Sequence, residues 1–66
     1  MTNDEAREAV LETYRQSGLE AAWERWEELY DAEVTNAPED APTPFLGLLQ
    51  AASVLRNEGR KIAELN

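Results

Sequence analysis

Glu20, Glu24, Glu28 and Asp31 recur at steps of four, four and three, a spacing that stacks four carboxylates along one side of a helix. Three kinds of chemistry use carboxylates in rows. Two of them could divide general acid and base roles, but that requires burial to push their pKa values apart, and the surrounding residues suggest no pocket. Oxygen ligands could hold a cation, with Asp31, Glu33, Asn36, Glu39 and Asp40 clustered on and after the same segment. A calcium loop needs glycine at its sixth position and glutamate at its twelfth. Counted from Asp31 these are Asn36 and Pro42, so the motif fails. The third use is electrostatic docking, in which the acidic row meets a basic surface on a partner protein. Imitation of DNA phosphates, the device of phage inhibitors of nucleic-acid-binding proteins, is a special form of it. The plain alternative is a solvated face that keeps the chain soluble.

Other chemistry is thinly represented. The chain has no histidine and no cysteine, which removes imidazole and thiolate ligands, disulfides and the commonest general base. No nucleophile elbow, phosphate-cradling glycine loop or dinucleotide fingerprint is present. The sequence is therefore read as a non-enzyme with no metal and no cofactor.

Leu46 and Leu49 are the second informative pair. They fall off the apolar stripe formed by Phe45, Leu48, Ala51, Ala52, Leu55 and Ile62, so this segment is apolar nearly all round at its start. Such a helix is buried on more than one side. The second side is covered either by the proline-rich segment before it or by another chain.

These residues need helices to position them. Thr2 and Glu5 form a capping box, followed by a stripe of Ala6, Ala9, Val10, Thr13 and Tyr14, which predicts a first helix over 3–17. Arg7 intrudes on that stripe, its stem expected along the core edge and its guanidinium in water or on a carboxylate. Gly18 should cap this helix, and Ser17 with Glu20 reads as a second capping box opening a helix over 18–35. On that helix Leu19, Ala22, Trp23, Trp26, Leu29, Tyr30 and Val34 form the apolar face, with Trp26 expected to be the better buried tryptophan. A turn this short makes the two helices an antiparallel hairpin. Residues 36–43 form a stiff connector. Thr43 as cap and Pro44 in the first turn then open a third helix over 44–65. The expected fold is all-α: one domain of three helices, a hairpin with a third helix packed across it.

Sixty-six residues give a small core, so self-association or docking is the natural source of extra stability. Twelve acidic residues and three arginines lie in 1–42, against two acids and three cations in 43–66, within a net charge of −8. That balance disfavours direct contact with nucleic acid or an anionic membrane. No apolar run reaches the roughly 20 residues of a membrane span, and the N-terminus does not read as a signal peptide, so a cytoplasmic location is expected. The functional expectation is a small acidic protein-interaction module, an adaptor or inhibitor. It would use Leu46 and Leu49 for apolar contact and Glu20, Glu24, Glu28 and Asp31 for electrostatic contact. The alternatives are the DNA mimic and a structural homo-oligomer. A homodimer is expected through the leucines, with Gly47 and Ser53 letting the two backbones approach and Arg56 and Arg60 lying beside the other chain's acidic hairpin.

Overall fold

Thr2 opens the structure as expected. Its hydroxyl accepts from the Glu5 amide at 3.1 Å, and its own amide donates to the Glu5 carboxylate at 2.9 Å. These bonds satisfy two of the orphan donors that start a helix. The computed structural model of the protein describes residues 1–37, 39 and 43–65. Helix α1 spans Asn3–Ser17, α2 spans Leu19–Leu29 and continues as a π-helical end over Tyr30–Thr35, and α3 spans Phe45–Leu65. The architecture is an all-α bundle of three helices. Those parts of the connector at Pro38 and 40–42 lie outside the described residues.

A single residue joins α1 to α2. Gly18 donates to the Tyr14 carbonyl at 2.9 Å and accepts from the Ala22 amide at 3.1 Å, ending one helix and starting the next. Its φ of 97° is a conformation that suits glycine. The expected Ser17–Glu20 capping box does not form, and α2 has no side-chain cap. Ser17 is still the last residue of α1, one position too early to cap a helix beginning at Leu19.

The far end of α2 also departs from expectation. Its bonds switch to the wider i→i+5 pattern, and Asn36 closes the turn by sending both its backbone amide (3.3 Å) and its side-chain amide (2.8 Å) to the Asp31 carbonyl. Pro38, two residues on, biases Ala37 away from helical geometry, so the chain cannot simply continue. Val34 still packs against the core from this widened end.

Helix α3 runs parallel to α1 and antiparallel to α2, as three sets of contacts require. The Asn3 side chain accepts from the Gly47 amide at 2.8 Å, Arg7 donates to Gln50 at 2.8 Å, and Tyr14 reaches Glu58 at 3.5 Å. Against α2 the order reverses, with Tyr30 on Phe45, Trp26 on Leu48 and Leu19 on Gly59. Gly47 is where α3 comes closest to α1. A Cβ there would collide with the Asn3 carbonyl group. The sequence reading reserved Gly47 for contact with a second chain, but it is already occupied within this one. Its amide is one of the orphan donors of the first turn of α3, so Asn3 caps α3 from across the interface.

The core is small and half alanine: Ala6, Val10, Ala22, Leu29, Leu48, Ala51, Ala52 and Leu55. Alanines at facing positions let the helices pack closely but bury little apolar area, so stability is expected to be modest. The aromatics line the α2–α3 seam. Trp23 meets Trp26 edge-on with centroids 6.0 Å apart, and Trp26 stacks on Tyr30 at 5.2 Å. Both tryptophans are half-buried and pack against the core. The Trp26 indole donates to the Leu48 carbonyl at 2.6 Å, a tertiary bond that pins the two helices in register. Arg7 behaves as expected, half-buried with its guanidinium on Asp4 at 2.8 Å and on Gln50.

Gly59 faces Leu19 at the hairpin turn, and the register of Asn3 on Gly47 and Tyr14 on Glu58 puts the end of α1 at Ser17 level with Lys61. The last four residues of α3 therefore overhang by about 6 Å. Ile62 and Leu65 are therefore exposed, and the apolar stripe read from the sequence stops packing at Leu55.

Two outcomes follow. Gly47→Ala improves helix propensity by roughly 1 kcal/mol, yet its methyl would strike backbone. The net result should be destabilisation by about 1–3 kcal/mol. At Gly59 the neighbour is only a Leu19 methyl, 3.3 Å from the Cβ position, so Gly59→Ala should be neutral or stabilising by up to about 1 kcal/mol. Urea denaturation of the two variants checks the opposite signs. The second outcome concerns acid. The bond from the Thr2 amide holds the Glu5 carboxyl below its ordinary value of 4.5, and the Arg15 bond does the same for Glu12. A pKa lowered on folding contributes stability above its unfolded value, and that contribution is lost as pH falls through the folded value. Glu5→Gln keeps the hydrogen-bonding shape without the charge. It should be less stable than wild type at neutral pH, with the gap closing as pH falls below 4.5 and through the lowered folded-state value. A gap constant with pH contradicts this account of the cap.

Candidate functional site

Helical geometry dictates where the sequence-predicted residues fall. Successive residues turn by about 100°. With Gly47 held on α1 and Leu48 on α2, Leu46 and Leu49 are driven to the outer side of α3. They are 56 % and 44 % exposed, and Phe45 beside them is 43 % exposed. The inner side of the same helix is filled by Leu48, Ala51, Ala52 and Leu55, all buried. The apolar outer face is thus surplus to what the bundle needs.

On α2 the stripe Ala22, Trp26 and Leu29 faces inward, and Tyr30 and Leu19 reach toward α3. Moving outward from that edge, the helix presents Trp23, then Glu27, then Glu20, Asp31 and Glu24. All four carboxylates lie exposed. The acidic row and the leucines therefore flank the α2–α3 seam on one broad side of the bundle, away from α1. The sequence identified both halves separately; their adjacency comes from the antiparallel packing of α2 on α3.

The four predicted carboxylates are not equivalent. Glu28 is paired with Arg25 at 3.2 Å. Glu20, Glu24 and Asp31 have no cationic side chain within 4.0 Å among the described residues. The free part of the row is thus shorter than the spacing suggests, which thins the charge that imitation of a phosphate backbone requires. Asp31 stands on the π-helical end, its carbonyl held by Asn36 and its carboxylate outward.

The cations sort in a way the sequence did not reveal. Arg7 pairs with Asp4, Arg15 with Glu8 and Glu12, Arg25 with Glu28, and Lys61 with Glu58. Arg56 and Arg60 have no carboxylate within 4.0 Å among the described residues, although the chain carries fourteen acids. Both are exposed, on the same outer side of α3 as the leucines. The face is therefore apolar at the start of α3 and basic further along. Arg56 and Arg60 are on this face as their spacing from the leucines implies, whereas Phe45, counted with the inner stripe in the sequence, belongs to it as well. Helical spacing from Leu49, at steps of four and seven, is the signal that reaches Phe45 and Arg56.

No pocket opens in the described structure, and no group of three or more acidic side chains among the described residues is gathered closely enough to hold a metal ion. Among the described residues no helix is long and apolar enough to cross a membrane. Comparison with protein-family models, curated proteins and solved structures finds no match for this chain. Its surface chemistry is the available guide to what it does.

The ladder makes its own prediction. Neutralising Glu20 and Glu24 with glutamine relieves like-charge contacts at i,i+4 and should stabilise the fold by a few tenths of a kcal/mol. Glu28→Gln also removes the Arg25 pair, so it should give less. Thermal melts at low salt would show the ordering, which should vanish near 1 M salt, where screening is nearly complete.

Proposed function

We propose that this chain is a cytoplasmic protein-interaction module that binds rather than catalyses. The observation that carries the reading is the exposure of Leu46 and Leu49 on an α3 whose inner face is already packed. A small bundle gains nothing from apolar side chains left in water, whereas a contact that covers them recovers roughly 25 cal/mol for each Å² buried. The unpaired carboxylates across the seam supply the second half of the contact. They favour a partner with a basic surface and suit an adaptor or inhibitor of such a protein. Charge at the rim acts chiefly on the rate of encounter, and burial of the leucines acts on residence time.

The test is affinity capture from lysate of the native cell with three immobilised baits: wild type, Leu46→Glu with Leu49→Glu, and Glu20→Gln with Glu24→Gln and Glu28→Gln. A partner of the proposed kind is retained by wild type and lost from the leucine variant. It is weakened on the glutamine variant and eluted by modest salt. Circular dichroism should show both variants folded, since every substituted side chain is exposed. A set of captured proteins identical across all three baits ends this reading.

A further inference from the structure

Resting on that reading, we propose that the occupant of the outer apolar face of α3 is a second copy of this chain, packed antiparallel about a twofold axis, with Arg56 of each copy on Asp31 of the other. The argument begins with the two arginines. Every other Lys or Arg is satisfied within its own chain, and these two lie together on the face that also leaves Leu46 and Leu49 in water. A ligand for this face must be apolar opposite the start of α3 and acidic opposite its second half. The chain itself has that pattern when turned end for end.

The register can be worked out. If Leu46 of one copy lies opposite Leu49 of the other, the axis passes between positions 47 and 48 of α3. Arg56 then lies about 13 Å from the axis, at 1.5 Å per residue. On the opposite copy the matching level falls about 9 Å beyond the start of α3. Tyr30 packs on Phe45 and α2 runs antiparallel to α3, so that level lies just past the π-helical end Tyr30–Thr35. A helical arginine leans back over the preceding turn, which brings the Arg56 guanidinium roughly 5 Å nearer the axis and level with the middle of that segment. Two carboxylates stand there. Glu33 is already engaged by the N-terminal ammonium at 3.7 Å, whereas Asp31 is exposed and unpaired among the described residues. The arrangement is self-complementary, as a twofold interface requires, and each pair occurs twice.

Charge opposes as well as favours this contact. Each copy carries −8, so the pair repels at long range, and the repulsion fades beyond a Debye length of about 8 Å at physiological salt. Association should thus strengthen from low to physiological salt, the reverse of what simple docking of an acidic module on a basic partner predicts. The two copies would cover their leucines and still present Glu20 and Glu24 outward, so the larger basic partner would meet a bivalent acidic surface.

Sedimentation equilibrium on the full chain tests this over roughly 1–500 µM, a range chosen for weak to moderate dimers. The mass should rise from 7.5 kDa toward twice that value. Leu46→Glu with Leu49→Glu should remain at the single-chain mass while folded. Asp31→Arg is the critical variant. It lowers net repulsion, so repulsion alone would make it dimerise better; loss of the Arg56 contact should instead weaken it by roughly tenfold. Asp31→Arg with Arg56→Glu has the wild-type net charge and restores the pair with reversed sign, and should recover most of the association. A wild-type chain that stays at its single-chain mass throughout overturns the proposal. So does a dimer strengthened by Asp31→Arg, or one that the double variant fails to restore. A single-chain mass combined with leucine-dependent capture of another protein would sink the dimer and leave the interaction module standing.

Discussion

The structure depends on the close approach of α3 to α1 at Gly47. With no side chain on that residue, the start of α3 lies against the backbone of Asn3, and the Asn3 side chain takes the Gly47 amide. One contact thereby does two jobs: it sets the height of α3 in the bundle and satisfies a donor that the proline-led start of the helix leaves open. The Trp26 bond to the Leu48 carbonyl, one residue on, fixes the rotation of the same helix from the α2 side. Both rotation and height of α3 are determined within two consecutive residues.

The outer surface follows from that placement. Once 47 and 48 are turned inward to two different helices, 46 and 49 have no inward direction left. Their exposure is a consequence of how α3 is clamped, in a bundle whose core of alanines allows little rotation without loss of packing. The overhang of α3 has the same origin. Starting level with Asn3, a helix of 21 residues must outrun an α1 of 15, and Ile62 and Leu65 are carried past the hairpin turn into solvent.

Electrostatics in this chain are mainly local. The carboxylates of α1 are largely taken up by caps and by arginines one turn away, as at Glu5 and Glu12. Such exposed pairs add little stability individually, but they remove charge from the outer surface selectively. Among the described residues, those without an ion-pair partner include Glu20, Glu24, Glu27 and Asp31 beyond the hairpin turn and Arg56 and Arg60 on α3, which is informative. Residual charge of opposite sign on neighbouring stripes, with apolar residues between, is the chemistry from which an interaction surface is made.

The sequence by itself determined the helices, because the signals that start and stop them are local. Thr2 and Glu5, Gly18, and the proline-rich stretch before Phe45 place the boundaries within a residue of those observed. It also marked Leu46 and Leu49 as off-stripe and the α2 carboxylates as a row, since both are matters of period. Tertiary structure alone decided the rest. That Gly47 serves this chain rather than a second one depends on Asn3, forty-four residues away. That Ile62 is exposed, although it continues the stripe, depends on where the neighbouring helices end. Which arginines are left unpaired depends on side chains reaching one turn along or across to another helix. Helical periodicity reports which residues share a face, but only the packing of one helix on another says what, if anything, that face meets.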